Sequence, residues 1–253
     1  MRKRKYPLRY TESGYVYIDE EDDLDMLVDA LVETNYSEDF CVCLNQTPVF
    51  ISTLMNAGFL VMSAEIPYSS GVYILLPKLH TVRSILYFDK LHIKRSVKSL
   101  LRRYELRFNT NFEQIIARCV EIHGSDWLTA PLLDAVHVMH RMMRKRRKYF
   151  CGLRAETVSF GVYRDGVLRA GEFGSLCGRV YTSYSGYYDE SNAGTVQLIL
   201  MAQFLKEQGF PFLDLGMPLP YKYTLGAEDI TPQEFVRIFR EGRMLPPLNH
   251  LPI

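Results

Sequence analysis

The stretch ETVSFGVYRDGVLRAGEFGSLCGRVYTSYSGYY, residues 156 to 188, consists of three runs separated by two short turns. Asp165 and Gly166 form a typical two-residue hairpin turn, and Gly178 marks the second turn. The runs are rich in Val, Phe and Tyr, which favour strands. The stretch therefore predicts an antiparallel meander of three strands.

Helical patterns flank the meander on both sides. Two helices are predicted before it, at residues 110–124 and 129–148, and SNAGTVQLILMAQFLKEQG, residues 191–209, predicts a long helix after it. Ser191 is the expected cap of that helix and Gly209 its end. The strand-like run FPFLDL follows, and a capping box begins a last helix at Thr231. This order predicts an α+β fold with a GNAT-like acyltransferase domain, by analogy of element order.

The N-terminal part of the chain predicts a separate, smaller unit. Apolar residues recur at helical spacing in residues 23–33, and PVFISTLMNAG begins a second helix at Pro48. The runs GVYILLP and TVRSILYF have the composition of strands. We therefore predict a small N-terminal α/β domain over residues 1–90 and the GNAT-like domain over residues 91–253.

Composition indicates a globular chain of 253 residues, 47% hydrophobic and 23% charged. The N-terminus has no apolar segment of the kind a secretory signal needs, so a cytoplasmic protein with no membrane partner is expected. Five cysteines without CxxC spacing predict buried free thiols. His137 and His140 have no third ligand close in sequence, so packing is favoured over a metal site.

The net charge is only +1, but the charges are unevenly distributed and two segments are strongly basic. In residues 94–103 the cations recur at helical three- and four-residue spacing and share one face, which favours contact with phosphates over a merely solvated face. For the basic residues of 141–148, two interpretations remain: a solvated helix end or an anion-binding site. The cations predicted to bind phosphate are Arg95, Lys98, Arg102 and Arg103.

The segment FPFLDLGMPLPYKYTLGAEDI, residues 210–230, places Asp214 at the C-terminal end of an apolar run. A carboxylate at a strand end either contacts a ligand or caps the loop, and the segment alone leaves both open. The segment YDESNAGTVQL before the long helix is acidic and contains one glycine. Because its carboxylates would repel a pyrophosphate, no CoA and no other cofactor is predicted.

Six short segments, in the same order, resemble the leucyl/phenylalanyl-tRNA–protein transferase family. LHIKRSVKSLLRR resembles the family's His-Ile-Ser-Arg-Ser segment, and FEQIIARCVEIHGSDWLT its Phe-x-x-Val-Ile-x-x-Cys-Ala helix with Thr-Trp-Ile. AGEFGSLCG resembles Gly-Gly-x-Tyr-Gly, and SNAG resembles Glu-Asn-Ala-Ser. FLDLG and YTLGAEDI resemble Leu-Ile-Asp-x-Gln and Ser-Leu-Gly-Ala.

The resemblance implies transfer of an aminoacyl group from charged tRNA to the N-terminal amine of a protein or peptide. Asp214 falls on the family's catalytic aspartate, and the basic face of residues 94–103 on a segment that meets the tRNA backbone. Trp127, the single tryptophan, falls where the family places an aromatic ring against the terminal adenosine or aminoacyl group, although a core anchor is the alternative. Further substrate contacts are implied for Tyr181, Ser183, Asn192 and Leu213.

Three departures from the family pattern fall at the implied site. Gly216 stands where the family has a glutamine that acts on the incoming amine, and Tyr184 replaces a glutamate. Glu172 replaces an apolar residue of the donor pocket. These changes favour altered donor or acceptor choice. A non-catalytic tRNA-binding or N-terminus-binding relative is the main alternative. A cell-wall transferase with two GNAT domains is disfavoured because the chain is too short.

Overall fold

The computed structural model describes residues 6–38, 40–144 and 152–246. Its mixture of helices and strands agrees with the predicted α+β class, and the GNAT-like domain stays a prediction. In chain order the helices and strands are α1 (Leu24–Glu33), α2 (Pro48–Asn56), β1 (Leu60–Glu65), β2 (Tyr73–Lys78), β3 (Arg83–Leu86), α3 (Arg95–Leu101), β4 (Glu105–Phe108), α4 (Phe112–His123), α5 (Ala130–Arg144), β5 (Glu156–Arg164), β6 (Val167–Cys177), β7 (Val180–Tyr188), α6 (Ala193–Glu207), β8 (Leu213–Asp214), α7 (Pro220–Tyr223), β9 (Glu228–Ile230) and α8 (Pro232–Arg243).

The described residues form two compact units, each drawn from separate parts of the chain. The first unit takes its members from Met1–Thr81, Ser125–Ala155 and Thr231–Arg240, and the second from Val82–Gly124, Glu156–Ile230 and Glu241–Ile253. This division differs from the predicted single boundary near residue 90. The reason is that β3 pairs with β8 and β9 in the second unit, whereas α5 packs against α2 in the first.

The first unit contains α1, α2, α5 and the hairpin of β1 and β2. These strands pair antiparallel, with Leu60 opposite Lys78. The carboxylate of Asp23 caps α1 by accepting hydrogen bonds from two backbone N–H groups of the first turn. The predicted apolar stripe of α1 is buried, as the helical spacing requires. Local capping and periodicity therefore explain how these helices form.

The second unit is built on a seven-stranded sheet of order β4-β5-β6-β7-β8-β3-β9. Its neighbouring strands are antiparallel except for β7 and β8. The predicted meander is confirmed as β5, β6 and β7. Asp165 and Gly166 both have positive φ, 53° and 76°, which is the turn geometry that matches the twist of a hairpin.

Two helices cover opposite faces of this sheet. Gly171 of β6 faces Ile115 of α4, because a Cβ at Gly171 would lie 2.8 Å from that side chain. Phe160 of β5 packs on Phe204 of α6, with ring centroids 5.7 Å apart. Phe160 is paired with Glu172, the residue that follows Gly171. Since successive strand residues point to opposite faces, Glu172 lies on the face covered by α6.

Candidate active site around Asp214

Asp214 ends β8, a strand of two residues between β7 and β3. Leu213 and Asp214 pair in parallel with Tyr181 and Thr182 of β7, and antiparallel with Leu86 and Ile85 of β3. Both residues of β8 are fully buried. The strand is short because the chain turns away at Gly216, which has a φ of 71°.

The carboxylate of Asp214 accepts four hydrogen bonds, two on each oxygen. Arg83 donates Nε to Oδ1 at 2.8 Å and Nη2 to Oδ2 at 2.6 Å. The Gly216 N–H donates to Oδ1 at 3.0 Å, and the Thr182 hydroxyl to Oδ2 at 2.7 Å. A carboxylate has about four lone-pair positions. All of them are therefore used inside the protein in this arrangement.

This arrangement keeps Asp214 ionised. Burial alone would raise its pKa, but the charge and hydrogen bonds of Arg83, with those of Gly216 and Thr182, lower the pKa below its ordinary value. Arg83 is itself 1% exposed, so the two charges form a buried pair. Asp214 thus holds Arg83, β7 and the turn at Gly216 together. The predicted catalytic role of Asp214 stays a prediction.

Gly216 lies in a turn fixed on several sides. Its carbonyl accepts from the N–H of Ser84 at 2.8 Å, and the N–H of Leu215 donates back to the Ser84 carbonyl at 3.0 Å. These bonds extend the pairing with β3 by two residues beyond Asp214. Gly216 brings backbone groups but no side chain to this turn.

Glu172 lies at the centre of a buried polar cluster. The Tyr181 hydroxyl donates to its Oε1 at 2.8 Å, and the polar side chains of Gln197 on α6 and Ser183 on β7 lie nearby. Burial raises the pKa of Glu172, and these three polar side chains and the charge of Lys222 oppose the rise in part. Arg169, the nearest arginine in sequence, lies near Glu190, with Nε 4.0 Å from a carboxylate oxygen.

Tyr184 occupies a bulge in β7. Phe173 pairs with Ser185 and Gly174 with Ser183, so Tyr184 is the extra residue between them. A bulge of this kind bends the strand and redirects a side chain. The half-buried Tyr184 ring lies 6.1 Å from the ring of Phe173, measured between centroids.

Lys222 is a site residue that the sequence interpretation missed. It lies on α7, is buried, and donates its Nζ to the carbonyls of Leu215 at 2.5 Å and Met217 at 2.7 Å. Burial lowers the pKa of Lys222 to about 8, although Glu172 and Asp214 act in the opposite direction. A lysine inside the apolar and aromatic segment MPLPYKYTL was the available signal, since a buried lysine requires partners. Arg83 inside TVRSILYF was a signal of the same kind.

Residues 85–240 match the family model of leucyl/phenylalanyl-tRNA protein transferase. The chain belongs to this family. The match includes β7, β8, α6 and the turn at Gly216, and it begins two residues after Arg83. The predicted membership in a family of aminoacyltransferases is therefore confirmed.

Two relatives that are named leucyl/phenylalanyl-tRNA–protein transferase show the degree of similarity. The one from Pseudomonas aeruginosa (strain LESB58) is 29% identical over 174 residues, which are 67% of this chain and 72% of the relative. The one from Pseudomonas putida is 30% identical over 158 residues, or 60% of this chain and 65% of the relative. A solved structure of L-PGS from Bacillus licheniformis has a TM-score of 0.39 and 11% identity, covering 92% of this chain and 88% of that one.

The residues that the family resemblance implies as substrate contacts belong partly to the first unit and partly to the second. Tyr181, Ser183 and Leu213 lie close to one another in the second unit, at the pairing of β7 with β8. Asn192 is exposed and precedes α6, where it, rather than Ser191, occupies the cap position. Trp127 is half-buried in the first unit, and its carbonyl accepts from the Ser63 N–H at 2.9 Å. Their roles toward a substrate stay predictions.

The acidic residues before α6 are neutralised by arginines. Asp189 accepts from Arg118 at 2.5 Å, and Glu190 from Arg164 at 2.6 Å and from the Tyr104 hydroxyl at 2.5 Å. The expected repulsion of a phosphate by Asp189 and Glu190 is therefore weaker than the sequence alone indicates. The prediction of no cofactor stays untested by this geometry.

The four predicted phosphate-binding cations lie on or just after α3. Arg95 begins the helix, Lys98 lies within it, and Arg102 and Arg103 follow it. All four are exposed, and within the described residues none forms an ion pair, while Val97 is buried on the inner side. The second basic segment, residues 141–148, lies largely outside the described residues.

Two further features concern partners and metals. In the described ranges, no helix combines the length and the apolar character needed to cross a membrane. Across the same ranges, no group of three or more His, Cys, Asp or Glu side chains is placed to hold a metal ion. Cys41, Cys43, Cys119 and Cys177 are free and buried, as predicted, and Cys151 lies outside the described residues.

Proposed function

We propose that this chain transfers an aminoacyl group from a charged tRNA to the N-terminal amine of an acceptor protein or peptide. The observation that carries the proposal is the family match over residues 85–240, which spans the Asp214 turn, the meander and the basic helix α3. Charged tRNA is the donor and a free N-terminus the acceptor. A cytoplasmic reaction follows from where charged tRNA occurs.

The reaction makes modest chemical demands. The nitrogen of the acceptor amine forms an amide bond with the ester carbonyl of the donor. The ester C–O bond then breaks, and the proton lost by the amine balances the one gained by the ribose hydroxyl. An α-amine has a pKa of about 8, so roughly a tenth of it is neutral at pH 7. Alignment of the amine and stabilisation of the oxyanion are therefore the main tasks of the protein.

A GNAT-like fold is also part of the proposal, and the short parallel pairing of β7 with β8 supports it. They pair in parallel only at residues 181–182 and 213–214, after which β7 continues to Tyr188. Among the described residues, β7 has no further strand partner on the β8 side. Because β8 ends at Asp214, this edge of β7 beyond Thr182 can offer backbone groups to a ligand instead of to a strand. We infer that the donor ester lies in the gap that the end of β8 leaves beside β7.

The donor pocket is proposed to differ from that of the family at Glu172. Tyr181 donates a hydrogen bond to Glu172, and Gln197 lies nearby, at the place where an apolar residue is expected from the family pattern. A leucine side chain offers no hydrogen bond to such a cluster, and separating the cluster would leave buried polar groups unpaired. We therefore expect donors other than leucine or phenylalanine to be preferred.

The test is transfer of labelled amino acids from a mixed pool of charged tRNAs to peptides with different N-terminal residues. The expected result is covalent label on the peptide that requires a free N-terminus, with acetylated peptides as the control. Label from a non-leucine, non-phenylalanine donor supports the altered pocket. Binding of charged tRNA without any transfer, under conditions in which the chain is folded, would instead support a non-catalytic relative.

A further inference from the structure

Lys222 projects from α7 back beneath the turn that follows Asp214. The residue is 4% exposed, although α7 itself has only four residues and neighbouring Tyr221 and Tyr223 are exposed. A lysine is rarely buried without a partner, because taking an ammonium group out of water is costly. Its position therefore requires a compensating interaction.

The compensating interaction is with the backbone on both sides of Gly216. The Nζ atom donates to the carbonyl of Leu215 at 2.5 Å and to that of Met217 at 2.7 Å. The carbonyl between them, that of Gly216, accepts from the Ser84 N–H. Three successive carbonyls of the turn are thus held, two of them by one side chain. We call the contact of Lys222 with these two carbonyls the Lys222 clamp.

Several charged groups surround the Lys222 amine. Glu172 of β6, Asp214 of β8 and Asp229 of β9 favour its protonated form, whereas burial and the charge of Arg83 on β3 disfavour it. Burial is the largest of these effects, and the pKa of Lys222 is lowered to about 8. The ammonium form of the clamp therefore titrates just above neutral pH.

We propose that Lys222 is a positioning residue for the transfer reaction, and that its clamp fixes the turn at Gly216 beside the gap between β7 and β8. The proposal rests on the proposed function. Position 216 has no side chain with which to order an incoming amine, so the backbone of the turn must itself be rigid. A charged donor shared by two carbonyls makes stronger hydrogen bonds than a neutral one. Loss of the clamp leaves two carbonyls of the turn without that donor.

The experiment compares Lys222→Met, Lys222→Arg and the exposed-site control Lys206→Met with the wild type. Initial transfer rates are measured from pH 6.5 to 9 with the charged tRNA and peptide that the wild type uses best. The ratio of wild-type to variant rate cancels the titration of the acceptor amine. Hydrogen exchange of the peptide spanning residues 213–222 is measured without tRNA, as a readout independent of activity.

We expect Lys222→Met to lower kcat about tenfold at pH 7 with little change in KM for charged tRNA, because alignment rather than binding is lost. The rate ratio should fall toward one as the pH rises through 8. Lys222→Arg should recover part of the rate, and Lys206→Met should match the wild type. Faster exchange confined to residues 213–222 should accompany the loss in Lys222→Met.

Two results would overturn the proposal. One is a folded Lys222→Met protein with wild-type kcat and a rate ratio that does not change with pH. The other is unchanged hydrogen exchange across the turn. If the wild type transfers no amino acid to any peptide, the proposed function fails, and the exchange measurement alone then decides whether the clamp orders the turn.

Discussion

Asp214 and Arg83 form a buried pair whose partners depend on each other. Each charge is satisfied by the other at 2.6–2.8 Å, and water reaches neither. Removing one partner of such a pair leaves an uncompensated buried charge, which typically costs about 3–5 kcal/mol. The fold and the site therefore depend on the same two residues.

Asp214→Asn should lower the free energy of unfolding by about 3–5 kcal/mol, because Arg83 keeps its buried charge. Denaturant melts of this variant and of the paired substitution Arg83→Met with Asp214→Leu test this, since the pair should recover part of the loss. Wild-type stability of Asp214→Asn would contradict the buried-pair argument. Loss of turnover at a temperature where the variant is folded would in addition support a role in positioning.

Glu172→Met should shift donor preference toward leucine, methionine or phenylalanine, because it replaces the centre of a polar cluster by an apolar side chain. Transfer from each charged tRNA by wild type and variant, side by side, is the measurement. Glu172→Gln is the matched control, since it keeps shape and hydrogen bonding and should keep wild-type preference. If the wild type already prefers leucine and Glu172→Met does not increase that preference, Glu172 does not line the pocket.

The stability contributed by Lys222 should rise with pH. Its pKa is lowered from 10.5 in the unfolded chain to about 8 in the folded protein, so the unfolded state binds more protons between these values. The cost of burying the ammonium is complete below about pH 8 and is relieved as the pH approaches 10.5. Relative to Lys222→Met, the wild type should gain up to about 3 kcal/mol between pH 7 and 10.

Urea melts over that pH range test this sign, with Lys206→Met as the control that should show no such trend. If the wild type gains no stability over Lys222→Met at high pH, the argument that Lys222 is buried and titrates near pH 8 is contradicted. The stability of the wild type relative to Lys222→Met should then rise above pH 8 while the ratio of their transfer rates falls toward one, which separates the positioning role from a purely structural one.

At the scale of elements, α3 joins a buried face to an exposed basic face. Val97 is buried, while Arg95, Lys98, Arg102 and Arg103 point to solvent. Exposed cations at this spacing can follow a phosphate backbone without any base contact. The helix therefore suits sequence-independent binding of the tRNA backbone.

Reversing Arg102 and Arg103 to Glu should weaken binding of charged tRNA and flatten its salt dependence. Each lost phosphate contact removes roughly 0.9 from the slope of log affinity against log salt on a duplex. Filter binding between 50 and 200 mM salt measures this slope. The control is Lys206→Glu with Arg237→Glu, which changes the net charge equally at other exposed positions. If the two double variants weaken tRNA binding equally, the cations of α3 do not form a specific phosphate-binding surface.

At the scale of the whole molecule, both units are assembled from distant parts of the chain. The second unit includes β3 from before residue 90, and the first includes α5 and most of α8 from after it. A fragment of residues 91–253 therefore lacks Arg83 and also the packing partners of α5. We expect it to bind ANS strongly and to unfold without a cooperative transition.

The longer fragment, residues 82–253, restores β3 and the Arg83–Asp214 pair. It should regain a cooperative transition for the sheet while still exposing the apolar face of α5, which packs on α2. Circular dichroism and ANS fluorescence distinguish these states. A cooperative, ANS-negative fragment of residues 91–253 would instead support the predicted boundary near residue 90.

The sequence by itself determined the features that depend on neighbouring residues. The Asp165–Gly166 turn, the three strands around it and the apolar stripe of α1 follow from spacing and local backbone preference. The basic face after residue 94 and the carboxylate at the end of β8 were also predictable, because both are properties of one segment. These elements are enough to predict an α+β fold, and the six short segments that resemble family motifs predict the family.

Only the tertiary structure decided which of these segments meet. Arg83 and Asp214 are 131 residues apart, and they pair because β3 lies between β8 and β9 rather than in the N-terminal unit. Sheet order of this kind is set by the packing of the whole core, which local periodicity does not encode. For the same reason, the burial of Lys222 beneath Gly216 and the buried position of Glu172 beside Tyr181 and Gln197 emerged only when distant elements packed together.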